Sequence, residues 1–163
     1  MNYSECIEKA RGKVGNYCKA CPECNGRACK NQMPGPGAKG IGDTAIRNYD
    51  KWKEIRVQMD TIAENKPVDT SLELFGKKFL YPFFAGPVGA VGLHYGDCLD
   101  DVRYNDILVS ACAKYGIAAF TGDGLDSNVM VAATKAIGKT DGIGIPTVKP
   151  WNIDTVAEKM KMV

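Results

Sequence analysis

Four of the seven cysteines in this 163-residue chain fall close together: Cys18, Cys21, Cys24 and Cys29, in the pattern C-x2-C-x2-C-x4-C. Thiolates two residues apart in a tight loop converge on one centre, and four of them complete a zinc shell or the shell of an iron–sulfur cluster. The spacing predicts a metal site at these four residues and leaves the metal open between iron–sulfur and zinc. A third reading is thiols packing a small N-terminal extension without metal. The unbroken triple run has the form of a cluster loop more than of a zinc knuckle. Its fourth cysteine, however, comes one residue later than in ferredoxins, and no proline follows it. Lys19, Arg27 and Lys30 carry charge that would offset an anionic thiolate site. The remaining cysteines read differently. Cys112 falls on a helix face with Leu108 and Tyr115 and is expected as a small core residue. Cys6 and Cys98 have no evident partner. A catalytic cysteine needs a base, and His94 is the only histidine, so none of the three is read as a nucleophile.

A second set of residues suits a cofactor. Three candidate strands end in Ala85-Gly86-Pro87-Val88-Gly89, in Thr121-Gly122-Asp123-Gly124 and in Pro146-Thr147-Val148-Lys149-Pro150-Trp151. In parallel α/β proteins chemistry collects at the carboxyl ends of strands. Small residues there let backbone N–H groups approach a flat ring or a phosphate. Asp123 could accept a hydrogen bond from a ribityl hydroxyl or a ring N–H. Lys149 could stabilise a reduced, anionic flavin or hold a substrate carboxylate. Taken singly, each stretch has a plainer explanation. Thr-Gly-Asp-Gly is a turn sequence, Lys149-Pro150 ends a strand, and a lone His94 in a loop is a solvated or structural group. The coincidence of three consecutive strand ends carries the cofactor reading. Gly35, Gly37, Gly40 and Gly42 do not make a phosphate loop, because no Gly-Lys-Ser/Thr opens a helix there.

The elements that must position these residues follow from periodicity. Residues 2–12 read as a short helix, 33–43 as a Gly/Pro loop, and 44–60 as a helix burying Ile46, Tyr49, Ile55 and Met59. Residues 71–84 read as a β-hairpin turning at Gly76-Lys77 and running into a buried strand. Then the chain alternates. A helix over 101–115 ends at Gly116, and a strand covers 117–121. A helix capped by Asp126 or Ser127 runs to Ile137, and a strand spans 143–149. A last helix, capped by Asn152 or Asp154, presents Ile153, Val156, Ala157 and Met160 on one face. Alternating strands and helices with short loops predict a parallel sheet with right-handed crossovers.

Composition narrows the function classes. The chain is 45% hydrophobic and 25% charged, enough for one core, and its net charge of +2 supplies no basic field for nucleic acid. No apolar run approaches the ~20 residues of a membrane span, and the charged N-terminus lacks a secretory signal. Seven cysteines without such a signal point to a reducing cytoplasm.

The stretch TSLELFGKKFLYPFFAGPVGA resembles the N-terminal hairpin and first barrel strand of the FMN-dependent α-hydroxy-acid dehydrogenases and oxidases, relatives of glycolate oxidase and lactate oxidase. There Gly86-Pro87-Val88-Gly89 stands where that family has Ala-Pro-Thr-Ala lying against the flavin. Helix 101–115 and Gly116-Ile117-Ala118-Ala119-Phe120 match its first barrel helix and second strand. The resemblance runs from about Asn48 onward and reaches three strands of a (β/α)8 TIM barrel, a fold of ~250 residues. It implies an α/β chain whose residues 44–163 are the first three βα units of a truncated flavin-binding barrel; residues 1–43 are read beside it as a helical, Cys-rich extension that those enzymes lack. It implies FMN held by Pro87, Val88, Gly89, Gly122, Asp123 and Lys149, a small 2-hydroxy acid as substrate, and a homo-oligomer at full length. Catalytic residues are expected beyond residue 163, so the fragment alone is expected to be inactive. A cluster on the cysteines would carry electrons to an electron-acceptor protein. The departures are Gly122-Asp123-Gly124 in place of Ser-Ser-Trp, and Pro146-Thr147-Val148-Lys149 in place of the strand with the substrate-binding tyrosine. With the cysteine loop, they are similar to an uncharacterised bacterial branch. The alternatives are a flavin-barrel isomerase or dehydrogenase of another substrate, and a zinc-binding interaction module.

Overall fold

The computed structural model describes residues 2–15, 17–29, 43–140 and 143–163. The Gly/Pro loop expected over 33–43 therefore lies almost wholly outside the described residues. The chain divides into two compact units: Met1–Lys66 with Gly92–Cys98, and Pro67–Val91 with Leu99–Val163.

The first unit holds helix α1, Tyr3–Arg11, and helix α2, Thr44–Trp52. A capping box starts α1: the Asn2 side chain accepts from Glu5 N–H, and the Glu5 carboxylate accepts from Asn2 N–H. The sequence predicted α2 to run to residue 60, but it stops at Trp52. Ile55 and Met59, expected on its buried face, are exposed. An amphipathic extension with no surface to cover gains no tertiary support, and propensity alone does not sustain an isolated turn. Gly26, at φ 73°, lies against the start of α2, and a side chain there would strike Ala45 and the backbone of Ile46. The short helix α3, Val91–Tyr95, carries His94. His94 is buried rather than in an open loop, with its ring 5.8 Å from that of Tyr17.

The second unit begins with an antiparallel hairpin, β1 Leu72–Leu74 against β2 Lys77–Phe79, in register Leu72↔Phe79. Its turn is Phe75-Gly76, not Gly76-Lys77. Both residues have positive φ, 54° and 72°, the pattern a two-residue hairpin turn needs to match strand twist. Two βαβ steps follow. Ala85 bridges Ala119 in parallel, and β3, Ala119–Thr121, pairs in parallel with β4, Gly144–Pro146. Helix α4, Asp101–Lys114, makes the first crossover and α5, Ser127–Lys139, the second. Helix α6, Ile153–Met160, follows β4. From residue 101 onward the alternation matches expectation, with β4 three residues long where seven were expected; the buried strand expected after the hairpin is reduced to the single bridge at Ala85, with Leu80 and Phe83 exposed. The result is a mixed helix–strand chain, with no closed barrel among the described residues.

Its core gathers Val109, Cys112, Ala119 and Ala136, with Leu108 and Ile137 partly buried against them. Cys112 is thus a core residue, but Tyr115, assigned to the same face, is exposed. Burial pushes the Cys112 thiol up, away from the thiolate form a nucleophile requires. On α6 the pattern reverses. Ile153 and Met160 are exposed, and the buried residue is Lys159.

Candidate functional site

Three segments leave the carboxyl ends of the parallel strands in the second unit and meet there. Gly122 and Gly89 are packing glycines. A Cβ on Gly122 would collide with the carbonyl of Val88, and one on Gly89 would come within 2.7 Å of the Asp123 carbonyl. Backbone therefore lies on backbone at these two positions, and their missing side chains serve that approach. Gly86 differs, because a Cβ there would meet nothing within 4 Å. Pro87 is exposed and Val88 half-buried beside it.

Asp123 is 1% exposed and sits at the centre of a polar network. Its Oδ2 accepts from Lys149 N–H at 2.8 Å and from the Trp151 indole N–H at 2.7 Å. Its Oδ1 accepts from Lys159 Nζ, which also donates to the Gly124 carbonyl at 2.8 Å. Burial by itself would push the Asp123 carboxyl up. The hydrogen bonds from Lys159, Lys149 and Trp151 and the lysine's charge outweigh it and hold the group below the ordinary carboxylate value. Where sequence made Asp123 an acceptor for a ribityl or ring group, the structure gives both oxygens protein donors. They tie the end of β3 to the segment after β4 and to α6. Lys149 keeps its side chain exposed, with Nζ 5.9 Å from the Trp151 ring.

Sequence reasoning missed two further members. Asn105 of α4 is fully buried, and its Oδ1 accepts from Gly122 N–H at 3.1 Å. Its Nδ2, and the Oγ1 of the fully buried Thr121, have no partner among the described residues. Lys159 gave no signal at all, since Glu158-Lys159-Met160-Lys161 reads as a solvated helix end. An asparagine inside the apolar stripe of α4 was the one hint available for Asn105.

The four clustered cysteines lie in the first unit. Cys18, Cys21, Cys24 and Cys29 line one small cavity of about 40 Å³. Loss of hydration pushes the Cys24 thiol up, and the neighbouring Cys18, Cys29 and Cys21 push it further, so the four groups sense one another. All seven cysteines are unpaired. Among the described residues, no group of three or more His, Cys, Asp or Glu is gathered so as to hold one metal ion. Nor is any helix among them long and apolar enough to cross a membrane.

No curated protein and no solved structure matches the chain. One family model does, over residues 35–143, two thirds of the sequence, and its description is FMN-dependent dehydrogenase. The match takes in the hairpin, α4, β3 and α5, and with them Ala85–Gly89 and Thr121–Gly124. By that match the chain belongs to the FMN-dependent dehydrogenase family.

Proposed function

We propose that the second unit forms the first three βα units of a (β/α)8 barrel, and that the whole protein oxidises a small 2-hydroxy acid with FMN. Family membership makes the chain part of an FMN-dependent oxidoreductase. The finer reading rests chiefly on Gly86, which opens onto free space at the end of the first parallel strand while Gly89 and Gly122 are filled by neighbouring backbone. That opening, flanked by exposed Pro87, suits a flat ring laid on main chain. The unpartnered Thr121 Oγ1 and Asn105 Nδ2 are polar groups that a ligand's edge could satisfy.

FMN when bound supplies the two-electron acceptor. The residues of this chain position it. Pro87, Val88 and Gly89 would line its ring, with Gly122 behind them. Asp123 acts one step back, fixing the backbone of Lys149 and the indole of Trp151. The exposed ammonium of Lys149 then faces solvent as a partner for a substrate carboxylate or the pyrimidine edge of the ring. A reducing cytoplasm agrees with the unpaired cysteines, and an electron-acceptor protein is the natural outlet if a cluster is present.

The test is to purify the product of the full reading frame, release its cofactor with acid and identify it. It is then mixed anaerobically with glycolate or lactate while flavin bleaching is followed. FMN and bleaching are expected. A protein that never retains FMN sinks the proposal. Gly86→Val should abolish flavin retention while leaving the fold intact, whereas Gly122→Ala should disrupt the fold itself.

A further inference from the structure

The cysteine loop of the first unit is unused by the flavin reading, and its construction is that of a ligand set. From the cavity shared by Cys18, Cys21, Cys24 and Cys29, we infer that these four residues hold an iron–sulfur cluster. The inference concerns the first unit alone and does not depend on FMN.

The cavity's other lining among the described residues is Lys19, Ala20, Asn25, Gly26 and Ala28, with no carboxylate and no imidazole among them. The ligands on offer are therefore four soft sulfurs among small side chains, which favours zinc, copper(I) or iron–sulfur over hard cations. The backbone is shaped to bring them together. Ala20 is buried at φ 44°, a conformation that costs a non-glycine residue energy and persists where the surroundings enforce it. That turn places Ala20 N–H 3.5 Å from Cys18 Sγ, the kind of donor that tunes a metal-bound sulfur. Gly26, also at positive φ, turns the chain between Cys24 and Cys29.

The loop is also fastened from outside. Tyr3 of α1 donates through its hydroxyl to the Pro22 carbonyl at 2.7 Å. Tyr49 of α2 donates to the Glu23 carboxylate at 2.8 Å. Both anchors fall between Cys21 and Cys24, so two helices fix the stretch where the run of cysteines must keep its shape.

One observation chooses the cluster over a single ion. Zinc sites pair two short knuckles across a spacer, whereas here three cysteines follow in one unbroken run with a fourth close behind.

The experiment purifies the chain without oxygen, reconstitutes it with ferrous iron and sulfide, and measures iron, zinc, acid-labile sulfide and the low-temperature electron paramagnetic resonance signal after dithionite. Equal iron and sulfide are expected, about four of each per chain for a cubane. Cys18→Ser, Cys21→Ser, Cys24→Ser and Cys29→Ser should each lose most of both, while Cys6→Ser and Cys98→Ser keep the wild-type load. One tightly held zinc per chain that resists replacement would overturn the cluster. So would iron without labile sulfide, or equal losses in Cys6→Ser and Cys98→Ser. Because the wild-type metal and sulfide content decides the matter, a serine variant that fails to fold does not rescue the idea. Flavin content measured in the same samples keeps the two readings apart: a cluster without FMN sinks only the flavin proposal.

Discussion

Asp123 and Lys159 show how much one buried residue can be asked to do. Their ion pair is enclosed, with side chains 0% and 6% exposed, and every other contact of the carboxylate is also a hydrogen bond. Removing one partner of such a pair leaves an uncompensated buried charge, which costs about 3–5 kcal/mol. Asp123→Asn and Lys159→Met should each lower the free energy of unfolding, read from a urea titration, by an amount in that range. The double variant should recover part of the loss through a coupling of about 1–3 kcal/mol. Strictly additive losses would mean that the two residues act separately. The pair also sets an acid limit. The folded carboxyl titrates below the ordinary aspartate value of 3.8, so between the two values the unfolded chain binds more protons. The stabilisation is complete above the unfolded value and is lost as pH falls through the folded one. Stability from this source should be level above about pH 5 and decline below about pH 4, a component that Asp123→Asn should lack in an acid-unfolding series.

At the level of elements, the hairpin turn offers a sharper test than the helices. Phe75 occupies a left-handed position at φ 54°, is 81% exposed and gains little from packing. Asparagine tolerates that conformation far better, and Asn-Gly is the preferred pair for such a turn. Phe75→Asn should therefore stabilise the chain by about 0.5–1 kcal/mol, read as a higher midpoint in thermal unfolding. A loss of stability would show that the ring has a partner it needs. The same turn marks the limit of what the sequence discloses. Local signals were legible: the caps to within one of two residues, resolved by the structure as Asp126 and Asn152, the stop at Gly116, and the alternation of apolar helix and short strand. The exact turn was not, because Gly76 serves equally well at either central position until strand register decides. Lys159 was illegible for a stronger reason. What buries it is Asp123, 36 residues away, and no local pattern reports a partner at that distance. Likewise, glycines at two of the three strand ends suggested room for a ligand. Only the approach of Val88 to Gly122 and of Asp123 to Gly89 shows that two of them are already filled.

On the scale of the whole molecule, the second unit raises a question of surfaces. Parallel sheets are ordinarily covered on both faces by helices and closed or flanked at their edges. Here two short strands and the bridge at Ala85 leave β4 paired on one side only among the described residues. Leu80, Phe83, Leu125, Ile153 and Met160 are each more than half exposed, and Tyr81 stacks on Phe83 at 5.6 Å. An open strand edge and exposed apolar side chains each invite association with a second copy. Sedimentation velocity of the 163-residue chain should therefore show self-association that rises with concentration. Phe83→Lys with Ile153→Lys should reduce it while changing stability by no more than about 0.5 kcal/mol, as expected of exposed sites. A monomer at every concentration would refute this. The proposed barrel makes the opposite demand of a longer product carrying further βα units. Those units would cover the same residues, so the two lysines should destabilise it instead of dispersing it. Substitutions that behave identically in both proteins would leave the exposed side chains without a role in closing a barrel.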